Sequence, residues 1–192
     1  MEYHSTLINF IESKVSISDM EKEMLRSSFD TCQKSKNDYL IKAGDRARQL
    51  FFVVDGIVRL FKYDDKGNEI TTNLFRANSF VTSFDSFMNG STSAESVQCI
   101  VDCEFLTISK EKYDSLFVIV EEWPTFYKKI HDEHIIGAYN RTYSFQHLSA
   151  AERYQKLVET EPDIVLHTEV KYIASYLGIK PQSLSRIRSS IK

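Results

Sequence analysis

Between Tyr39 and Ser109 the chain runs as short β-rich stretches, and on both sides of that block apolar residues return at helical spacing. The stretches are Gln49–Val54, Ile57–Tyr63, Glu69–Phe75, Ser96–Val101 and Glu104–Ser109. Turn chemistry separates them. Asp55-Gly56 and Asp64-Asp65-Lys66-Gly67-Asn68 suit sharp reversals, because Gly and Asn accept positive φ and Asp bonds nearby main-chain N–H groups. Short strands at such regular spacing bury their apolar faces as a sandwich, barrel or jelly roll.

The flanks are helical. Leu7, Ile8, Phe10, Ile11 and Val15 share one helical face, and Ser18 with Glu21 makes a capping box ahead of Met20, Met24, Leu25 and Phe29. After the strands, Lys110–Glu122 reads as one helix. Trp123-Pro124 breaks it and starts another, since Pro is tolerated in a first turn. Residues 125–144 then carry Phe126, Tyr127, Ile130, Ile135, Ile136, Tyr139 and Tyr143. That apolar face is broad enough to lie on the β-region on one side and to meet a second copy of the chain on the other, and ordinary packing on the β-region alone is the competing reading. Gly137 costs about 1 kcal/mol relative to Ala in a helix unless it allows a close approach. A second capping box, Ser149 with Glu152, opens a helix that ends before Pro162. The boundary between two units therefore falls around Ser144–Leu148, giving 1–144 and 145–192.

From Val170 to Arg188 the chain reads VKYIASYLGIKPQSLSRIR. Ile173, Ala174, Leu177, Ile179, Leu184 and Ile187 fall on the inward side of two short helices. Ala174 is small where the helices cross, Gly178 suits the turn, and Pro181 is pre-set for the start of the second helix. This is a helix-turn-helix. Its second helix offers Gln182, Ser183, Ser185, Arg186 and Arg188 outward, with Lys180 just before it. Gln and Arg can bond adenine and guanine edges bidentately, and Ser and Lys can bond phosphates. The charge distribution agrees. The last 22 residues hold five basic side chains (Lys171, Lys180, Arg186, Arg188, Lys192) and no acid, leaving 19 basic and 27 acidic residues before them. A net charge of -3 thus divides into a body at -8 and a tip at +5. A solvated basic face, or a helical hairpin used for protein contact, is the plainer alternative.

These stretches resemble the Crp/Fnr family of bacterial transcription regulators. The resemblance rests on Gly44-Asp45, Leu50-Phe51-Phe52-Val53-Val54-Asp55-Gly56, the long helix, Glu152-Arg153-Tyr154, Ile173-Ala174-Ser175-Tyr176-Leu177-Gly178 and Leu184-Ser185-Arg186-Ile187-Arg188. The last three look like a branch common in Bacteroidetes. The resemblance implies an α+β chain: a cyclic-nucleotide-binding-like β-roll, or jelly roll, with a dimerisation helix at about 124–144, then a DNA-binding helix-turn-helix. It also implies a homodimer on a roughly palindromic duplex, contact with RNA polymerase, and Gln182, Ser183 and Arg186 as base-facing residues.

Three departures narrow what the resemblance carries. Nucleotide-responsive members hold Gly-Glu for the ribose and an Arg for the cyclic phosphate, where this chain has Thr82-Ser83 and Ser91 to Ala94. Residues 77–109 contain no Lys or Arg, yet hold Asp85, Glu95, Asp102 and Glu104. A cyclic phosphate wants a bidentate cation, so cyclic AMP is not the expected effector. Phe80, Ser83, Phe84, Thr92 and Ser93 are candidates to line a pocket for a different, unknown small molecule. Oxygen-sensing relatives need four cysteine thiolates, whereas this chain has Cys32, Cys99 and Cys103, best read as reduced and buried. After Arg188 only Ser189, Ser190, Ile191 and Lys192 remain, too few for a β-hairpin wing.

Neither an enzyme nor a membrane protein is expected. None of the five histidines (His4, His131, His134, His147, His167) falls within 39–109, so the strands lack the ligands of a barrel metal site. His131 and His134 could pair on the long helix, although a solvated face is the simpler reading. No nucleophile elbow, Walker loop or GxGxxG occurs, and no cofactor is expected. No apolar run approaches the roughly 20 residues of a membrane span. Met1-Glu2-Tyr3-His4 lacks the basic start of a signal peptide, so the cytoplasm is the expected compartment. The alternative to a DNA reader is a ligand-binding or protein-interaction module.

Overall fold

The structure is a computed structural model and describes residues 2–190. Ile191 and Lys192, which the expectation of no β-hairpin wing partly concerns, lie outside the described residues. Helices α1 (Glu2–Glu12) and α2 (Asp19–Ser28) come first. The box before α2 is formed in full: Glu21 N–H donates to Ser18 Oγ at 3.3 Å, and Ser18 N–H donates to the Glu21 carboxylate at 2.8 Å.

Eight strands follow. One sheet runs in the order β1 (Asp30–Lys34), β8 (Cys103–Ser109), β3 (Gln49–Asp55), β6 (Ser79–Val81). The other runs β2 (Tyr39–Ile41), β7 (Ser96–Cys99), β4 (Ile57–Tyr63), β5 (Glu69–Arg76). Every pairing is antiparallel, so the block between the helices is the expected jelly roll. Strands β1, β2 and β6 add to the five read from the sequence. β1 is Asp-Thr-Cys-Gln-Lys, with no apolar alternation; it is a strand because it pairs with β8 from Asp30↔Thr107 to Lys34↔Cys103. The Asp64–Asn68 turn is held by its own side chain, Asp64 Oδ1 accepting from the N–H groups of Lys66 and Asn68 at 2.9 and 2.8 Å.

The core lies between the sheets and under α1, with Leu7, Ile11, Phe52, Phe105, Ile108 and Leu116 buried. Each such side chain contributes about 1.5–3 kcal/mol on leaving water. Cys99 and Cys103 belong to this core as free thiols, and Cys32 is half-buried. A short helix α3 (Phe84–Asn89) crosses one end.

Helix α4 (Lys110–Ile119) stops three residues short of the expected Glu122, because Val120 is extended at φ -117°. Helix α5 (Trp123–His147) then runs unbroken and ends within the expected boundary region, Ser144–Leu148. Its Trp123 and Phe126 are buried against the β-roll, whereas Ile135, Ile136, Tyr139 and Tyr143 are exposed. The chain continues through α6 (Ala150–Thr160), α7 (Pro162–His167), α8 (Val170–Tyr176) and α9 (Pro181–Ser190).

The box before α6 is also complete, with Ser149 N–H donating to the Glu152 carboxylate at 2.7 Å. These bonds hold the Glu152 carboxyl below its usual 4.5, the Ser149 main-chain N–H being the largest cause. A carboxyl lowered in the folded state stabilises above its unfolded value, and that stability is lost as pH falls through the folded value. Glu152→Gln keeps an accepting oxygen but cannot titrate. Urea midpoints measured at pH 7 and pH 3.5 should therefore fall further in the parent than in Glu152→Gln; an equal fall would remove this capping role.

Candidate nucleic-acid interface and effector cavity

Helices α8 and α9 make the expected helix-turn-helix. Ile173, Ala174, Leu177 and Leu184 are buried together with Tyr154 and Leu157 of α6, and Ile179 and Ile187 pack at the edge. Gly178 sits at φ +70°, and Ile179 N–H donates to the Ala174 carbonyl at 3.0 Å, closing α8. A Cβ on Gly178 would also lie 2.9 Å from Cε1 of Phe145 at the end of α5. The glycine is needed for its φ and for the ring beside it.

On α9, Gln182, Ser183, Ser185 and Arg186 are exposed, as is Lys180 just before it. Ser185 Oγ donates to the Pro181 carbonyl at 3.1 Å. Lys180 and Arg186 enter no ion pair among the described residues. The acid nearest in sequence, Glu169, is held by Lys171 at 2.9 Å, which keeps its carboxyl below the usual range. Arg188 is placed differently from the outward position expected for it. It is half-buried, with its guanidinium 5.6 Å from the Tyr154 ring and its Nε buried without a partner among the described residues. The reason is helical phase: Arg188 lies four residues after the buried Leu184 and so on the inner edge.

The opposite side of α8 is seated on the β-roll through a buried arginine. Arg59 of β4 is 1% exposed. Its guanidinium lies between the rings of Phe61 (3.9 Å) and Tyr172 of α8 (3.8 Å). It donates to Gln98 Oε1 at 2.9 and 2.6 Å and pairs with Glu69 at 2.6 Å. Beside it, Thr71 N–H donates to Ser175 Oγ at 2.9 Å, and Ser175 Oγ donates to the Glu69 carbonyl at 3.2 Å. Stacking on two rings with hydrogen bonds in the ring plane is what a guanidinium can do and an ammonium cannot. Nothing in the sequence singled out Arg59, a basic residue inside an apolar strand.

A cavity of about 330 Å³ lies between the β-roll and α5. Phe80 and Phe84 line it. Ser83, Thr92 and Ser93 do not. Ser93 Oγ donates to Ser83 Oγ at 2.7 Å, and Ser93 N–H donates to the Asp45 carbonyl at 2.7 Å, so the two serines pin a turn. Thr92 is exposed and forms an isolated bridge with Arg46. The wall that sequence reasoning missed comes from the start of α5, with Trp123, His131 and His134. Their signal was present as the broad apolar face of that helix, but not its direction. Among the described residues no Lys or Arg lines the cavity, and Glu95, the one carboxylate among them, pairs with Lys62 at 3.2 Å.

A β-roll, a long helix and a helix-turn-helix docked back on the roll make up the architecture. Residues 32–118 match the family described as the cyclic nucleotide-binding domain. Across nearly the whole chain the fold is that of the Crp/Fnr regulators. It is similar to the c-di-GMP responsive global regulator CLP of Xanthomonas campestris, at 18% identity over 89% of this chain and 90% of that one, with a TM-score of 0.70. It is similar to FixK2 of Bradyrhizobium japonicum, at 16% identity over 85% and 84%, with a TM-score of 0.73. It is also similar to a transcriptional regulator assigned to the crp/fnr family from Eubacterium rectale, at 16% identity over 93% and 85%, with a TM-score of 0.71. These likenesses carry the resemblance to the family's fold and not to its Bacteroidetes branch. No curated protein matches the chain. No helix among the described residues is long and apolar enough to cross a membrane.

Proposed function

We propose that the chain is a sequence-specific DNA-binding transcription regulator that acts as a homodimer, with residues 1–144 as sensor and 145–192 as reader. The observation that carries this reading is the outer face of α9, where Gln182, Ser183, Ser185 and Arg186 stand exposed beside Lys180 with no acid in the helix. Such a face suits the major groove, with Arg186 and Gln182 placed for base edges and the serines and Lys180 for phosphates. Arg188 serves better as a brace on Tyr154 than as a contact.

Dimerisation is supported by the apolar side of α5 that the β-roll leaves uncovered. Ile135, Ile136, Tyr139 and Tyr143 are each at least half exposed. A Cβ on Gly137, among them, meets nothing within 4 Å among the described residues, so the glycine fits close approach by a second copy. Two α5 helices side by side would present two reading heads to a roughly palindromic duplex. An effector in the sensor would act by favouring one arrangement of the heads. The cavity without a cation supports an effector other than cyclic AMP, and contact with RNA polymerase completes the regulatory reading.

Selection of bound duplexes from a random library tests the proposal. A palindromic consensus is expected, and Arg186→Ala should lose preference at one base position in each half-site and weaken binding by about 1–3 kcal/mol. An unpatterned pool, or unchanged preference in the variant, would overturn it.

A further inference from the structure

We infer that the cavity between the β-roll and α5 takes an uncharged, mostly apolar ring compound that carries a hydrogen-bond acceptor. This deepens the effector-responsive reading above and rests on it. The cavity, at about 330 Å³, is within the range of small-molecule sites. Leu60, Phe75, Phe80 and Phe126 supply apolar wall from both sheets and the helix. Among the described residues no Lys or Arg lines the cavity, and of its two histidines, His131 and His134, burial holds His134 toward the neutral form. An anionic group therefore meets no fixed cation there, and burying a poorly paired charge is strongly unfavourable. Glu95 is already paired with Lys62, which leaves little attraction for a cation.

One group in the wall is left wanting. The indole N–H of Trp123 is buried and has no hydrogen-bond partner, although the residue is 2% exposed and lines the cavity. Buried donors are almost always paired, and an indole nitrogen can only donate. The nitrogen itself has almost no surface on the cavity, so its complement is a carbonyl, ether or ring-nitrogen acceptor on an otherwise apolar molecule that shifts the indole edge as it enters.

Trp123 is the single tryptophan of the sequence, so its indole gives one resonance in a spectrum of the ¹⁵N-labelled full chain. The probes are 2-acetylnaphthalene, naphthalene, 2-naphthoate and cyclic AMP. The ketone should move the indole resonance downfield and saturate. Naphthalene should bind about tenfold more weakly, for want of the hydrogen bond, and without the downfield move. The two anions should leave the resonance in place. By calorimetry, Trp123→Phe should bind ketone and hydrocarbon alike. The inference is overturned if neither uncharged probe moves the resonance up to its solubility, or if 2-naphthoate or cyclic AMP binds as well as the ketone. Duplex binding measured on the same sample separates the two readings: intact DNA binding with failed probes ends the ligand class alone, and absent DNA binding ends the regulator.

Discussion

Replacing Arg59 with alanine should loosen the seat of the reading head on the β-roll by about 3 kcal/mol, the largest effect expected at the seam between the two units. The guanidinium is buried between Phe61 and Tyr172 and is bonded to Gln98 and Glu69. Removing it leaves a space between two rings, a buried Gln98 oxygen without its donor, and a carboxylate without its cation. Losing one partner of a buried pair costs about 3–5 kcal/mol. The Glu69 side chain is 36% exposed and can recover some hydration, which sets the lower end. Arg59→Lys should recover only part of the loss, because an ammonium neither stacks flat nor forks. Amide exchange at Thr71 reads the seam directly, since that N–H is held by Ser175 of α8. Exchange should quicken about a hundredfold in Arg59→Ala, with the amides of β3 and β8 little changed. Unchanged exchange at Thr71 would mean that Arg59 holds the sheet and not the head.

Gly56→Ala should destabilise the β-roll by about 2–5 kcal/mol, read as a fall in urea midpoint with Trp123 fluorescence as probe. Two causes act together. Gly56 has φ +105°, a conformation that costs an L-residue about 1–3 kcal/mol. Its added Cβ would lie 2.5 Å from Cys103 Sγ, 2.8 Å from the Asp102 carbonyl oxygen and 2.9 Å from Cys103 Cα. The thiol can turn aside, but the two main-chain atoms cannot, and overpacking of this kind costs about 1–3 kcal/mol more. Pairing the change with Cys103→Ala should recover only the thiol's part. A variant as stable as the parent would mean that the β3–β4 turn shifts freely against β8.

These two sites also mark where the sequence can and cannot be read. Asp55-Gly56 is legible as a turn, because positive φ is a local requirement. The approach of Cys103, 47 residues away, is not local and leaves no trace in the spacing. Ser18 with Glu21 and Ser149 with Glu152 are legible for the same local reason, and both boxes form. The inward residues of the helix-turn-helix follow from helical phase, and the same phase explains why Arg188 turns inward. Arg59 could not be found this way: its meaning comes from Tyr172 and Gln98, which the fold alone brings to it. Polar β1 is likewise a strand only because β8 lies beside it. Of the cavity, the strand-borne Phe80 was readable, whereas Trp123 needed the direction in which α5 lies.

The most direct test of a dimeric DNA reader is the affinity of the full chain for its selected palindromic duplex, followed by anisotropy as salt rises. Contacts from α9 and its flanks to phosphates release counterions, so the logarithm of affinity should fall linearly with the logarithm of salt. From 50 to 200 mM the loss should be on the order of a thousandfold, at two chains per duplex. A flat salt response, or no binding at the lowest salt, would contradict the account.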